Sequence, residues 1–408
     1  MAEDKTVKLL PVIIAVLACL CGSSSCTPVQ AENNKSVPGD DSLRVEWDAS
    51  SIKILASGGG YGRVHRLNDG RLMGVYGKGG DGYVIYSSDN GFNWTEPKAV
   101  LQRFSANGAT VGIHNCEFGQ LSETNPYHPG RIIYAVNLRP DGQASTRYPY
   151  SIAYKYSDDA GKTWSEMAVP FQSHIWDTDV LRGCWEPFIL ELPDGTVQMY
   201  FSDETPYYSQ GKGYQNISVL ESKDGGDTWS PERIIAYADK TRDGMPTGFL
   251  LDGVIYIAVE HYNQGARFYP QVLSTTLEDN WSEPVLNGSP WRFDIFQNTI
   301  ESSTYYNGAP YLIRTDDCIA VSWQTTVYGD PADEAHAMME VAVCRISEIR
   351  NGKFTTMRAC SRPLILDTVT NRAKWNSLCD LGDNCLLAVA STKVGLVSVR
   401  GKIINAKQ

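Results

Sequence analysis

Gly183 to Glu204 reads GCWEPFILELPDGTVQMYFSDE: an apolar strand, a polar turn at Pro193-Asp194-Gly195 and a second apolar strand. Runs of this length bounded by a turn dipeptide predict a β-hairpin. The hairpin carries a carboxylate, Glu186, between Trp185 and Pro187 at the mouth of its first strand. A charged side chain there needs a reason, because an unpaired buried carboxylate is costly.

The same strand-turn-strand unit recurs along the chain. It reads GRVHRLNDGRLMGVY from Gly62, CEFGQLSETNPYHPGRIIYAVN from Cys116 and WEPFILELPDGTVQMYFS from Trp185. It returns as MPTGFLLDGVIYIAVEH from Met245, PYLIRTDDCIAVSWQTT from Pro310 and WNSLCDLGDNCLLAVAST from Trp375. The turns fall near Asp69, Gly130, Asp194, Asp252, Asp316 and Asp383, a period of about 60 to 65 residues. That spacing suits four-stranded blades, so the chain is expected to be all-β, a six-bladed β-propeller with four-stranded antiparallel blades.

A second motif fixes the phase. SSDNGFNW from Ser87, SDDAGKTW from Ser157 and SKDGGDTW from Ser222 share Ser-x-Asp-x-Gly-x-x-Trp, and STTLEDNW from Ser274 is a degraded copy. A calcium or catalytic role for these aspartates is rejected in favour of a hairpin staple. Asp accepts backbone N–H groups, Gly takes the left-handed position and Trp packs under the next blade.

Composition narrows the partners. The 408 residues carry 36 Lys and Arg against 47 Asp and Glu, a net charge of -11 that disfavours nucleic acid and anionic membranes. A neutral substrate fits, and an anionic one requires arginines that converge locally. Lys5 and Lys8 precede an apolar run from Leu9 to Cys21, which predicts a signal peptide over 1–31 and an exported protein, periplasmic, secreted or an outer-membrane lipoprotein. VLAC, Val16 to Cys19, resembles a lipoprotein box, and cleavage after VQA at Ala31 is the alternative. Residues 32–48 are expected as a polar tether and 49–408 as the propeller. A lipid on Cys19 is the one membrane contact foreseen, and a monomer is expected. The seven cysteines beyond the leader match no metal or disulfide framework and suit buried free thiols, with room for one bridge. No cofactor is expected. The six histidines lack ligand spacing, and GGGYG from Gly58 precedes no helix, so it is not a phosphate loop.

Aligning the repeats places chemistry at one end of the ring. Glu186 begins the inner strand of blade three and Glu260 ends the second strand of blade four, so both emerge on one face of adjacent blades. Two carboxylates across one cleft suffice for glycosidic cleavage, one as nucleophile or base and one as acid. Matching positions add Tyr61, Arg63, His114, Asn115, Gln324, Trp375 and Asn376 as substrate-binding candidates, with Trp185, His261 and Tyr262 beside the glutamates and Asp177 and Asp179 on the loop before Glu186. Asp81, Asp203 and Glu204 are rival acids.

These features resemble the sialidase superfamily and, more narrowly, glycoside hydrolase family 93, the exo-acting α-L-arabinanases. The resemblance runs from about Gly59 to Ile404, most specifically through GYGRVHRLNDGRL, CWEPFILELPDG and GMPTGFLLDGVIYIAVEHYN. It implies release of arabinose units, typically arabinobiose, with retention of configuration, Glu186 as nucleophile and Glu260 as acid/base. A tyrosine assists the nucleophile in that family, and Tyr262, Tyr305, Tyr306 and Tyr328 all qualify here. Sialidases instead grip a substrate carboxylate with three arginines. Arg63 matches the first, but Ser202 and Asp203 stand where the second belongs. Arg267 and Arg314 keep sialidase activity as an alternative, beside a propeller that binds glycan without cleaving it.

Overall fold

In the computed structural model, the described residues are 43–405 except 143–146, 175–182, 211–213, 238–239, 263–266, 297–303 and 355–356. The predicted leader, Asp177 and Asp179 lie outside them. No described helix is long and apolar enough to cross a membrane.

Six antiparallel sheets follow one another along the chain, each an up-and-down run outward from an inner strand. The inner strands are Gly60–Arg66, Ala109–Gln120, Cys184–Glu191, Arg242–Leu251, Asn307–Arg314 and Lys374–Gly382. Four sheets have four strands and two have five. Blade two gains Phe104–Ala106 beside its inner strand, and the outer strand of blade three gains a parallel partner, Val285–Leu286, from blade four.

The ring closes on a strand that the sequence pattern hides. Leu43–Ser57 pairs antiparallel with Gly395–Asn405 as the outermost strand of blade six. The expected tether therefore gives way to sheet at Leu43 rather than after residue 48. Leu43 and Val45 turn inward to the core between blades five and six, while Arg44 and Glu46 face outward. Polar alternation of this kind suits an edge strand with one buried face.

Six apolar clusters fill the six blade-to-blade interfaces. The sixth joins Val64 and Ile85 of blade one to Leu387 and Val389 of blade six. No blade can hide both faces of its sheet alone, so burial of these faces, at roughly 25 cal/mol per Å2, depends on a complete ring.

The Asp boxes behave as staples. In the three full copies the Ser hydroxyl donates to the Asp carboxylate and accepts the Gly N–H, and the Asp accepts the N–H four residues on. Gly91, Gly161 and Gly226 all have φ between 83° and 94°. The packing runs opposite to expectation, toward the preceding blade. The Tyr86 hydroxyl of blade one donates to Gly161 O, and Tyr154 of blade two donates to Gly226 O and meets the Trp229 ring edge-on. The degraded copy keeps this direction, since Trp281 Nε1 donates to the Tyr200 hydroxyl of blade three at 3.0 Å. The seven described cysteines are all free thiols.

Candidate active site

Every inner strand breaks register once near its start. The last pair before the break is Gly60 with Gly77, His114 with Asn137, Trp185 with Ser202, Gly244 with Glu260, Gly308 with Gln324 and Lys374 with Ser391. The next residue is left-handed in all six blades: Tyr61, Asn115, Glu186, Met245, Ala309 and Trp375 have φ between 47° and 57°. None is glycine, so each bulge stores on the order of 1 kcal/mol or more of backbone strain. A bulge re-aims one side chain and frees one N–H.

Those freed N–H groups link neighbouring blades. Met245 N donates to Ser202 Oγ at 3.1 Å, Ala309 N to Glu260 Oε2 at 2.8 Å, Trp375 N to Gln324 Oε1 at 2.7 Å and Tyr61 N to Ser391 Oγ at 2.9 Å. Glu260 thus occupies a place where other blades use a neutral acceptor. Glu186 occupies the left-handed place itself, with its Oε2 3.3 Å from both Met245 N and Ser202 Oγ. The carboxylate at the mouth of the apolar strand is therefore turned out of the sheet by its own backbone.

The two glutamates sense each other. Burial, then the Glu186 charge, pushes the Glu260 carboxyl up from 4.5 to about 7, against the Ala309 N–H and Arg242. Burial also raises Glu186, while Arg242, Met245 N–H, Ser202 and Arg139 pull it back. Glu186 therefore has more support for its charged form and Glu260 less. Arg242, which sequence reasoning missed, bonds Glu204 and places its charge near both glutamates. It stands in a polar KTRDG stretch that marks it as loop, and only the strand register brings it to the site. Tyr306 is the tyrosine of the four that stands here. It is buried, accepts from Gln324 Nε2 at 2.6 Å, and its hydroxyl is held protonated by burial and then by Glu260. Tyr328 instead donates to Glu340 at 2.6 Å.

Other candidates divide by strand alternation. Tyr61 joins the group, since the Glu186 charge acts on its hydroxyl, and its ring lies 3.9 Å from the Arg63 guanidinium. Trp375 and Tyr262 are each 37% exposed, and Tyr262 packs on Phe268. Trp185 packs on Tyr150 with ring centroids 4.7 Å apart. His114 and Asn115 are half-buried on blade two.

Three candidates are buried and engaged by the protein itself. His261 follows Glu260, so the period of two turns it into the blade, where it is 1% exposed, bonds Asp243 at 2.6 Å and lies beside Arg292. Arg63 is buried and donates to the Gly62, Trp375 and Asn376 carbonyls. Asn376 is buried against Ser322 and Ala309 O. All three are buried and spent on protein partners. Among the rival acids, Asp203 is fully buried and pushed up to about 7 by burial and Glu232, Glu204 is spent on Arg242, and Asp81 caps Arg103 N. Arg267 pairs with Glu334 at 3.5 Å.

Comparison with known proteins agrees with this architecture. The family model of the BNR repeat-like domain matches residues 70–317. Among solved structures, the family 93 α-L-arabinofuranosidase of Fusarium graminearum with arabinobiose superposes at TM-score 0.61 and 17% identity, covering 88% of this chain and 97% of that one. An α-L-arabinanase of Penicillium chrysogenum, also with arabinobiose, gives 0.61 and 18%, covering 91% and 99%. A protein of unknown function from Dyadobacter fermentans gives 0.61 and 14%, covering 90% and 100%. At these identities the likeness is one of fold. No curated protein sequence matched.

Proposed function

The chain belongs to the BNR repeat-like domain family, and from that footing we propose that it is an exported, retaining exo-glycosidase acting on α-L-arabinofuranosyl linkages of arabinan or pectin side chains. The observation that carries the reading is the Glu186–Glu260 pair, two carboxyls of adjacent blades that act on each other and have unequal support for charge. Glu260, protonated below about pH 7, donates its proton to the departing glycosidic oxygen. Glu186 attacks the anomeric carbon, and the resulting ester is hydrolysed by a water that Glu260, now ionised, deprotonates. Arg242 steadies Glu186 in its charged form between turnovers. Tyr306, fixed by Gln324, presents a neutral hydroxyl to the same region. The structural neighbours solved with arabinobiose support a furanosyl substrate.

The test is digestion of linear and branched arabinans alongside sialyllactose, with the anomeric configuration of the first product read by NMR. Release of arabinose or arabinobiose with retained configuration, abolished in Glu186→Gln, is expected. Inversion sinks the nucleophile assignment. Cleavage of sialyllactose alone replaces arabinan with sialoside, and binding without any released sugar removes the enzyme reading altogether.

A further inference from the structure

Blades one and two frame a cleft of about 480 Å3 that contains neither glutamate but shares His114 with the ring of bulges. That volume is in the range of small-ligand pockets. Glycines keep it open. A Cβ on Gly112 would lie 2.8 Å from His114 Nε2 and 3.6 Å from the Gly80 Cα, and one on Gly80 would lie 3.4 Å from the Arg103 side chain.

The lining carries an uneven set of charges for a chain of net charge -11. Arg103 stands on one wall, anchored through Nη1 to Gly79 O at 2.9 Å. Asp141 is the acid of the lining and accepts Thr110 N at 3.0 Å. Arg139 is half-buried, and among the described residues no hydrogen bond or ion pair engages its guanidinium. It lies over the Trp185 ring at 4.9 Å, and its charge acts on both Glu186 and His114. His114 is neutral near pH 7, pushed down to about 4 by burial and then by Arg139.

We propose that this cleft is a subsite for the carboxylate of a uronic sugar, held by Arg139 with help from Arg103, on the same saccharide whose linkage lies between Glu186 and Glu260. The proposal deepens the glycosidase reading and rests on it. A half-buried guanidinium without a hydrogen-bonding partner among the described residues is costly, and one placed over an indole ring keeps N–H groups to offer a carboxylate. Two guanidiniums and one carboxylate leave a single positive charge, which matches a monoanion better than a phosphate dianion. Neutral His114 adds a hydrogen-bonding edge without competing charge.

Galacturonic acid, galactose and glucose 6-phosphate are titrated into the full chain by ligand-observed NMR, on wild type, Arg139→Met and Arg103→Gln. Galacturonate should bind with galactose weaker by roughly tenfold or more, and Arg139→Met should erase most of that gap. The exposed Arg103→Gln should weaken galacturonate by a few-fold, so the test survives if Arg139→Met does not fold. Equal binding of galacturonate and galactose, no effect of either substitution, or preference for the phosphate overturns the proposal. These monosaccharides bind without being cleaved, so inactivity on arabinan and sialoside would defeat the glycosidase reading separately from the cleft.

Discussion

Two glutamates near the axis are nearly equally hidden and differently treated. Glu117, 1% exposed on the inner strand of blade two, accepts from Phe118 N and His65 at 2.9 Å and from the Tyr311 hydroxyl at 3.3 Å, with Arg63 Nε at 3.5 Å. Its partners come from blades one, two and five, so it ties opposite sides of the ring together. Glu260, 9% exposed, takes the Ala309 N–H and faces a second carboxylate instead of a cation at bonding distance. Burial alone therefore does not mark function. A hidden acid whose valences are filled holds a fold, whereas one left short of partners is poised to trade a proton.

The sharpest way to break this contrast is to neutralise each acid. Glu260→Gln and Glu186→Gln should cost about 10^2- to 10^4-fold or more in kcat/KM on arabinan while melting at or above the wild-type temperature. Glu117→Gln leaves Arg63 buried without its anion and should lose roughly 3–5 kcal/mol in denaturant unfolding. If Glu117→Gln melts like wild type and Glu260→Gln unfolds, the two roles are reversed.

Titration sharpens the same contrast. The Glu260 carboxyl is raised in the folded chain from 4.5 to about 7, so the folded state binds its proton more tightly than the unfolded one. Its stabilising contribution is full below about pH 4.5 and is lost as pH rises through about 7. Wild type should therefore lose stability over that window by a few kcal/mol at most relative to Glu260→Gln, measured as paired melting curves. The general-acid role of Glu260 should be lost on the alkaline side, with kcat/KM declining above about pH 7.

The smallest effect is expected far from the axis. Asp159 accepts the Thr163 N–H and hydroxyl and the Ser157 hydroxyl, and the hydrogen bonds from Thr163 hold its carboxyl down at about 2. Asp159→Ala should cost about 1 kcal/mol in unfolding and leave arabinan kinetics unchanged, provided the box is only a staple. A loss of activity without loss of stability would reopen a functional role for the boxes.

Much of the architecture was legible because propeller hairpins repeat locally. Pro193-Asp194-Gly195 and its counterparts announce turns, and Ser-x-Asp-x-Gly-x-x-Trp announces hairpins, without any long-range information. Glu186 was legible for the same reason, as a charge breaking an apolar run. His261 turns into the blade although it follows Glu260, because the pattern IYIAVEHY locates a strand end but not which of two adjacent polar residues faces inward. Arg63 and Asn376 sit at matching repeat positions, yet both are buried and engaged by groups of other blades, contacts that leave no local signal in the sequence. Arg242 and Arg139 carry no local signal at all. Their proximity to Glu186 exists only across blades. The closing strand Leu43–Ser57 was partly taken for tether because its partner, Gly395–Asn405, lies at the other end of the chain.

That pairing sets the order of assembly during synthesis. Every hairpin can form as it emerges, but Leu43–Ser57 has no mate until Gly395–Asn405 has been made. Until then the chain is an open arc with a bare apolar flank at blade one and another at blade six, and a nascent-chain chaperone would be most needed in that interval. Pairing with Gly395–Asn405 thus converts a string of marginal hairpins into a single cooperative body.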